Sequence, residues 1–367
     1  MQNALDNRYM SLALMLGRRG LGQVWPNPAV GCVIVKDGRI VGRGRTGSGG
    51  RPHAETVALA QAGALAVGAC VYVTLEPCAH HAKTPPCAQA LIKAGVARVV
   101  AAQEDPDERV SGKGFAALQK AGVEVVTGVM ADQAARDLQG FLLRIQQGRP
   151  KVTLKLANSF DGRIATATGQ SQWITGPQAR RHGHGLRACH DAVMIGAGTA
   201  RTDDPMLTVR DMGQAQQPVR VVVSKQLDLP MMSQLAISAR VVPLWLCHGP
   251  EADSKLIKAW VGIGARLIRC DLAKRKLDMT SVLRALGDAG LTRVLCEGGG
   301  GLAASLLAAD LVDEMVGYSA GVILGGDGVP GIVAMGVEQL DKAPRFDLIE
   351  TRAVGGDVMH WWRRERL

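Results

Sequence analysis

A histidine and a glutamate stand two positions apart in PHAETVALA, residues 52–60, where an apolar helix is predicted to begin. Further along, TLEPCAHHAKTPPC, residues 74–87, supplies two cysteines, the second of which opens another predicted helix. One histidine and two cysteines can bind a tetrahedral zinc ion and leave its fourth position open for water. Structural zinc sites usually fill all four positions, so His53, Cys78 and Cys87 predict one catalytic Zn²⁺ per chain.

Glu55 is the candidate proton carrier beside that metal. Zinc lowers the pKa of a bound water toward neutrality, and a carboxylate two residues from a ligand can pass the water's proton to a leaving amine. His-x-Glu followed by Pro-Cys and a second cysteine is the pattern of zinc deaminases, in which the glutamate is not a ligand. The alternative is a glutamate that only favours the helix dipole, beside core cysteines. Two separated motifs in the right order favour the catalytic interpretation.

The loop between the two cysteines differs from that of deaminases acting on nucleic acid. Eight residues separate Cys78 from Cys87, whereas those enzymes typically close the motif as Pro-Cys-x-x-Cys. His80 and His81 are competing ligand candidates, but we expect them to line the site. Lys83 is a candidate phosphate or substrate contact, and the alternative for it is a solvated loop charge.

Composition narrows the class of protein. A length of 367 residues suggests two or three domains, and 47% hydrophobic with 21% charged residues suits globular cores. The net charge of +10 fits either nucleic acid or a small phosphorylated substrate. Aromatic residues make up only 4% and no dense Lys/Arg run occurs, which favours the small substrate. No apolar run could span a membrane and the N-terminus is a poor signal peptide, so we expect a cytoplasmic protein without disulfides.

Hydrophobic periodicity predicts two α/β domains, residues 1–148 and 149–367. The first begins with a hairpin around Asp37-Gly38 and continues with alternating helices and strands, so its helices should cover both faces of a sheet. The second has strands that include 151–157, 191–196, 219–224, 239–247 and 313–320.

Three segments of the second domain could bind ligands. Residues 155–176 form a polar loop with a single tryptophan, which either packs on a flat ligand or joins the core. Residues 192–210 run from a strand into a loop that contains aspartates and arginines, and the arginines are suited to binding phosphate. We expect Arg180 and Arg181, just before it, to lie on a solvated helix face. Residues 294–307 place four glycines between a strand and a helix, which suits a pyrophosphate, but they match the Rossmann fingerprint poorly.

The motifs HAE and TLEPCAHHAKTPPC, with PNPAVGCVIV upstream, resemble the bifunctional riboflavin-biosynthesis deaminase/reductase family, and the likeness covers the whole chain. The resemblance implies a cytidine-deaminase-like three-layer α/β/α domain followed by a dihydrofolate-reductase-like α/β domain that uses NADPH. It implies zinc-hydroxide hydrolytic deamination of 2,5-diamino-6-ribosylamino-4(3H)-pyrimidinone 5′-phosphate. NADPH reduction of the ribosyl group would then give 5-amino-6-ribitylaminouracil 5′-phosphate.

The resemblance also implies ligand contacts. In the deaminase site, Asn27 and Lys83 match substrate contacts. In the reductase site, the matching dinucleotide contacts are Ala157, Trp173, Thr199, Asp203, Gly299, Gly300, Gly301, Leu302, Ala303, Ala304 and Ser305. The matching substrate contacts there are Ser171, Arg187, Leu207, Arg210 and Glu297.

Two rival hypotheses remain at this stage. The charge of +10 would also suit a nucleic-acid-binding base deaminase, although the long loop between the cysteines and the complete second domain argue against it. A zinc-stabilised interaction module without catalysis would require a fourth protein ligand. The sequence leaves the oligomeric state open, with a homo-oligomer allowed.

Overall fold

The structure, a computed structural model, describes residues 2–79, 85–108, 110–213 and 216–364. The chain forms two compact units, Met1–Gly148 and Arg149–Leu367. None of the helices in the described residues is long and apolar enough to cross a membrane.

The N-terminal unit is built on a mixed sheet with strand order β2-β1-β3-β4-β5. Its strands are β1 Gly31–Lys36, β2 Arg39–Arg45, β3 Cys70–Val73, β4 Arg98–Ala101 and β5 Glu124–Val126. The predicted hairpin is confirmed, since β1 and β2 pair antiparallel across Asp37 and Gly38. Both turn residues have positive φ, 49° and 74°, the backbone that an Asp-Gly turn supplies at low cost.

Helices cover both faces of this sheet. They are α1 Gln2–Arg18, α2 Ala54–Ala62, α3 Cys87–Lys93, α4 Lys113–Lys120 and α5 Ala131–Gln147. Alternate residues of β1 point to opposite faces: Ile34 packs in a core cluster with α2 and α3, while Val33 packs with α1. The predicted three-layer α/β/α arrangement is therefore confirmed.

The C-terminal unit contains a long mixed sheet of order β11-β10-β9-β8-β14-β6-β15-β18-β17. Pairing is parallel from β11 to β15 and antiparallel where β18 and β17 complete the edge. The strands of this sheet are β6 Lys151–Ser159, β8 Ala192–Gly196, β9 Val219–Val223, β10 Leu244–His248, β11 Arg266–Arg269, β14 Arg293–Cys296, β15 Glu314–Ala320, β17 Asp347–Val354 and β18 Asp357–Arg363. Short ladders lie outside it: β7 Arg163–Ala165 with β16 Val329–Pro330, and β12 Leu272–Ala273 with β13 Lys276–Leu277.

The helices of this unit are α6 Pro177–Ala188, α7 Ala197–Asp203, α8 Gln234–Ile237, α9 Ser254–Gly262, α10 Met279–Asp288 and α11 Gly300–Ala308. Two details correct the sequence predictions. The strand predicted over 239–247 begins only at Leu244, because Pro243 lacks the N–H that a sheet ladder needs. The loop predicted after Gly196 begins with the helix α7, in which Ala197 and Ala200 favour a helical backbone.

Candidate active sites

The three predicted metal ligands converge in the N-terminal unit. Their donor atoms all lie within 4.8 Å of one another, and this is the one such group of His, Cys or acidic residues found in the part of the chain that the structure describes. His53 Nδ1 lies 3.3 Å from Cys87 Sγ and 3.6 Å from Cys78 Sγ. Zn–N and Zn–S bonds of about 2.0 and 2.3 Å at tetrahedral angles place nitrogen and sulfur about 3.5 Å apart. The donor set therefore fits a zinc ion.

Helix starts hold these ligands in place. His53 is the residue before α2 and Cys87 is the first residue of α3, while Cys78 lies in the segment after β3. The Cys87 backbone N–H donates to Cys78 Sγ at 3.3 Å. Hydrogen bonds from Cys87, together with His53, lower the pKa of the Cys78 thiol to about 4 against the effect of burial. Cys78 is thus favoured as the thiolate that a metal requires, whereas a hydrogen bond with Cys78 and burial raise the pKa of the Cys87 thiol.

Glu55, the second residue of α2, lies beside the cluster and is only 4% exposed. Burial raises the pKa of its carboxyl to about 7, and the nearby Cys78 charge acts in the same direction. A carboxyl whose pKa lies near neutrality can both accept and release a proton under physiological conditions.

A pocket of about 360 Å³ opens onto these residues. It contains Asn27, whose side-chain amide donates to the Gly50 carbonyl at 2.9 Å. The other predicted substrate contact, Lys83, lies outside the described residues, as do His80 and His81. The pocket wall also includes Asp105 and Asp107, which our sequence reasoning missed.

Glu76 explains how those aspartates are held. Its buried carboxylate accepts backbone N–H bonds from Asp105 at 3.3 Å, Gly112 at 3.0 Å and Gly114 at 2.8 Å. Glu76 therefore fixes the segment after β4 against the segment that carries Cys78. The glutamate in the sequence TLEPC was a signal for this role, because a carboxylate buried beside a strand end needs several donors.

The second pocket, of about 510 Å³, lies in the C-terminal unit and brings together residues from distant parts of the sequence. All five predicted substrate contacts line it: Ser171, Arg187, Leu207, Arg210 and Glu297. Four of the predicted cofactor contacts line it as well: Ala157, Trp173, Thr199 and Asp203. The sequence predicted this set by resemblance, and the fold gathers it into one cavity.

Helix α7 accounts for two of those positions. Thr199 and Asp203 are four residues apart and so share one face of the helix. Trp173 is 66% exposed, and the Arg180 guanidinium lies 4.5 Å from its ring centroid. The prediction that Arg180 belongs to a solvated helix face was therefore wrong: it lines the pocket and stacks on the tryptophan.

The run Gly299 to Ser305 occupies the N-terminal half of α11, and its glycines differ in their surroundings. A Cβ on Gly299 would lie 3.1 Å from Thr199 Oγ1, which places this run beside the pocket. A Cβ on Gly300 would lie 2.7 Å from the Pro330 carbonyl oxygen, so the fold itself requires that glycine. A Cβ on Gly301 would meet nothing within 4 Å, which leaves open space at the helix start for a ligand.

Charged groups at the pocket wall form a linked array. Arg187 donates to both carboxylate oxygens of Glu297, Nε to Oε1 at 2.5 Å and Nη2 to Oε2 at 2.9 Å. Lys155 Nζ lies 3.9 Å from the same carboxylate. Although burial acts to raise it, the pKa of Glu297 is held at about 2 by these cations, so the group is ionised at neutral pH.

Lys155, His184 and Tyr318 line this pocket as well, and our sequence reasoning did not select them. Strand alternation could have found Lys155, because it shares a face of β6 with Ala157. Tyr318 could be found only once the register of β15 was known, since it pairs with Ala157 across the sheet.

Comparisons with known proteins match both domains. Residues 3–103 match the family described as cytidine and deoxycytidylate deaminase zinc-binding region, and residues 150–360 match the RibD C-terminal domain. Riboflavin biosynthesis protein RibD of Escherichia coli K12 is 43% identical over 365 residues, covering 96% of this chain and 98% of that protein. The Bacillus amyloliquefaciens protein of the same name is 38% identical, with 96% and 95% covered.

Solved structures give the same result. Acinetobacter baumannii RibD, form 2, has a TM-score of 0.88 at 36% identity and covers 100% of both chains. A Thermotoga maritima structure described as a diaminohydroxyphosphoribosylaminopyrimidine deaminase/5-amino-6-(5-phosphoribosylamino)uracil reductase has a TM-score of 0.87 at 31% identity, covering 99% of this chain and 100% of that one.

The fold and the two pockets define a bifunctional enzyme, a zinc-dependent deaminase joined to an NADPH-dependent reductase. The predicted fold class and the predicted cofactors are thereby confirmed. The chain belongs to the RibD family of riboflavin biosynthesis.

Proposed function

We propose that the N-terminal site deaminates 2,5-diamino-6-ribosylamino-4(3H)-pyrimidinone 5′-phosphate and that the C-terminal site then reduces its ribosyl group to ribityl. The observation that carries the first step is the cluster of His53, Cys78 and Cys87 beside the buried Glu55. We assign the deaminase activity to residues 1–148 and the reductase activity to residues 149–367.

In the deaminase, His53 Nδ1 and the two cysteine sulfurs would hold the zinc ion. When bound, zinc supplies a Lewis acid that makes water nucleophilic near neutral pH. Glu55 takes the proton of the attacking water and gives it to the departing ammonia, which restores its carboxylate. Asn27 and Lys83 bind the substrate. The hydrogen bond from the Asn27 side-chain amide to the Gly50 carbonyl fixes the orientation of Asn27.

In the reductase, the cofactor would lie along α11 and α7, and Trp173 and Ala157 would contact it as well. NADPH supplies the hydride when it is bound. The backbone of Gly299 to Ser305 offers N–H groups at a helix start, which suit the pyrophosphate. The open space beside Gly301 supports this placement.

The reductase substrate would lie on the opposite wall. Arg210 has no carboxylate partner among the described residues, which leaves its guanidinium available for the substrate phosphate. Arg187 is held by Glu297, so this pair presents a fixed charge pattern rather than a free cation. Ser171 and Leu207 complete the contacts with a hydroxyl and an apolar surface.

We further propose that the protein acts on small phosphorylated pyrimidines without binding nucleic acid or a membrane, in the cytoplasm, and that it forms a homo-oligomer. The exposed edge of the C-terminal sheet supports the oligomer. Leu348 and Ile349, on the edge strand β17, are 51% and 47% exposed, and an apolar edge strand invites pairing with another copy.

Mass spectrometry tests both steps at once. Zinc-loaded protein is incubated with the diaminopyrimidinone ribosyl phosphate, with and without NADPH. Without NADPH, we expect an amino group to be replaced by oxygen, and with NADPH we expect two further hydrogens. Deamination alone would contradict the reductase assignment. Unchanged substrate from a zinc-loaded chain would contradict the deaminase assignment, and RNA would then be tested as the substrate.

A further inference from the structure

The side chain of Tyr318 contacts a histidine, and that histidine contacts an arginine on the edge strand of the sheet. The residue lies on β15, lines the reductase pocket and is 1% exposed. Its hydroxyl oxygen lies 2.5 Å from Nδ1 of His182, a half-buried residue of α6. Nε2 of that imidazole lies 2.8 Å from Nη2 of Arg352 on β17. These contacts link three elements across the same face of the sheet.

The arginine determines which atom donates in both hydrogen bonds that connect Arg352, His182 and Tyr318. A guanidinium can only donate, so Nε2 of His182 must accept from Arg352. In a neutral imidazole the other nitrogen, Nδ1, then carries the proton and donates to the Tyr318 oxygen. The Tyr318 hydroxyl proton is thereby directed away from His182.

His182 stays neutral under this arrangement. Burial lowers the pKa of its imidazole first, and the adjacent Arg352 charge lowers it further, while Glu350 acts in the opposite direction. Protonation would place a second donor against the guanidinium, which the geometry disfavours.

The hydroxyl proton of Tyr318 has no other acceptor among the residues that the structure describes. A buried donor without an acceptor costs about 1–3 kcal/mol, so such a group usually meets a ligand or water. The neighbouring wall of the pocket carries Lys155, whose ammonium lies 5.9 Å from the Tyr318 ring centroid.

We propose that Tyr318 is a substrate-binding residue of the reductase, that its hydroxyl donates to an oxygen of the pyrimidine ribosyl phosphate, and that His182 and Arg352 are positioning residues for that hydroxyl. This inference rests on the proposed reductase function and adds a contact that the resemblance to the family did not supply. It requires a ligand with an acceptor oxygen at the wall that Tyr318 shares with Ala157.

The test compares two hydroxyl deletions on one strand. Tyr318→Phe keeps the ring and removes the donor, whereas Ser319→Ala removes a hydroxyl that faces His360 on the opposite side of β15. Reductase kcat/KM for the deaminated substrate should fall about three- to tenfold in Tyr318→Phe, the value of one neutral hydrogen bond. It should not change in Ser319→Ala.

Two further readouts separate a contact from a packing effect. Binding of the deaminated substrate, measured calorimetrically without NADPH, should weaken in Tyr318→Phe, while the NADPH dissociation constant and deaminase activity should stay at wild-type values. If NADPH binding weakens equally, or if substrate binding and kcat/KM are unchanged, Tyr318 is not a substrate contact. Absence of reduction by the wild-type chain would instead contradict the proposed function itself.

The positioning role has its own pair of variants. His182→Phe removes both nitrogens, so the Tyr318 hydroxyl loses its fixed direction and kcat/KM should fall. His182→Asn places an N–H near the position of Nδ1 and should recover most of that loss. Equal activities of the Phe and Asn variants would overturn the positioning role of His182 and leave the substrate contact to be decided by Tyr318→Phe.

Discussion

The deaminase pocket takes its reactive groups from a few short segments, whereas the reductase pocket collects groups from many elements. His53, Glu55 and Cys87 all lie at the starts of helices α2 and α3, where the free backbone N–H groups and the dipole act on them. In the reductase, Arg187 on α6 reaches Glu297, which follows β14 more than a hundred residues later. A metal concentrates chemistry at one point, but a large dinucleotide and its substrate need a long wall of contacts.

The difference predicts how the two sites respond to single substitutions. Loss of one metal ligand should abolish a whole activity, because three protein ligands leave no redundancy. Loss of one contact in the reductase should reduce activity in part, because the remaining contacts still bind the ligands.

Cys87→Ser should abolish zinc binding and reduce deaminase activity by about a thousandfold or more, since hydroxyl is a poor zinc ligand and no nucleophilic water is produced. Zinc content by elemental mass spectrometry and the rate of ammonia release measure this. Cys70→Ser is the matched control in the same unit, because Cys70 Sγ accepts from Arg98 and lies outside the metal cluster. Stoichiometric zinc in Cys87→Ser would refute the ligand set.

Glu55→Gln should keep the zinc ion and lose about 10²- to 10⁴-fold in deamination, the range that general acid–base catalysis contributes. The amide is close in size but cannot carry the proton. Reductase activity of the same chain serves as the internal control and should be unchanged. A wild-type deamination rate from the zinc-loaded variant would show that another group moves the proton.

Glu297→Gln should lower reductase kcat/KM by about tenfold to a hundredfold and destabilise the C-terminal unit by about 3–5 kcal/mol, because Arg187 is left buried without its counter-ion. Thermal unfolding followed as a function of pH measures the second effect. The pKa of Glu297 is depressed to about 2, so its stabilisation is present above the unfolded value of about 4.3 and is lost as the pH falls toward 2.

The variant and wild type should therefore converge in stability near pH 2 and differ most above pH 5. Glu350→Gln provides a control, because that carboxylate is an exposed partner of Arg352 and should change stability by less than about 1 kcal/mol. A pH-independent difference for Glu297→Gln would mean that the ion pair is not its cause.

Gly301→Ala should have the smallest effect, with a slight gain in stability and weaker binding of NADPH. Its new methyl group meets no protein atom, and alanine favours a helix over glycine by up to about 1 kcal/mol, so the unit should become slightly more stable. If the dinucleotide lies against this helix start, the KM for NADPH should nevertheless rise several-fold. Gly262→Ala, which also meets nothing within 4 Å but lies on helix α9, outside the lining of the pocket, is the control and should leave the KM for NADPH unchanged. A stable Gly301→Ala variant with an unchanged KM for NADPH would show that the cofactor does not lie against this helix start.

The metal site and the helices of the N-terminal unit could be predicted from the sequence alone. The zinc ligands and Glu55 were visible as two short motifs, because the spacing of neighbouring residues along a helix start is set by the chain itself. The helix boundaries of the N-terminal unit followed from periodicity for the same reason, as in α5, predicted and found over residues 131–147.

The reductase pocket could not be derived in that way. Its contacts were named from the family resemblance, and residues without a motif, such as Lys155 and Tyr318, were missed. Arg180 was assigned to solvent because its position on α6 is polar in pattern, yet the fold places Trp173 against it. Local pattern does not contain the register between β6 and β15, which decides what faces the cavity.

Ligand type, spacing and hydrophobic period are local properties, so the amino-acid sequence was enough to predict the chemistry of the metal site, the two domains and their α/β class. Contacts between distant groups became visible only in the folded chain: Arg187 with Glu297, Glu76 with the backbone that carries Asp105, and Tyr318 with His182. Those contacts depend on strand order and crossing geometry, which arise when the whole chain buries its apolar surface together.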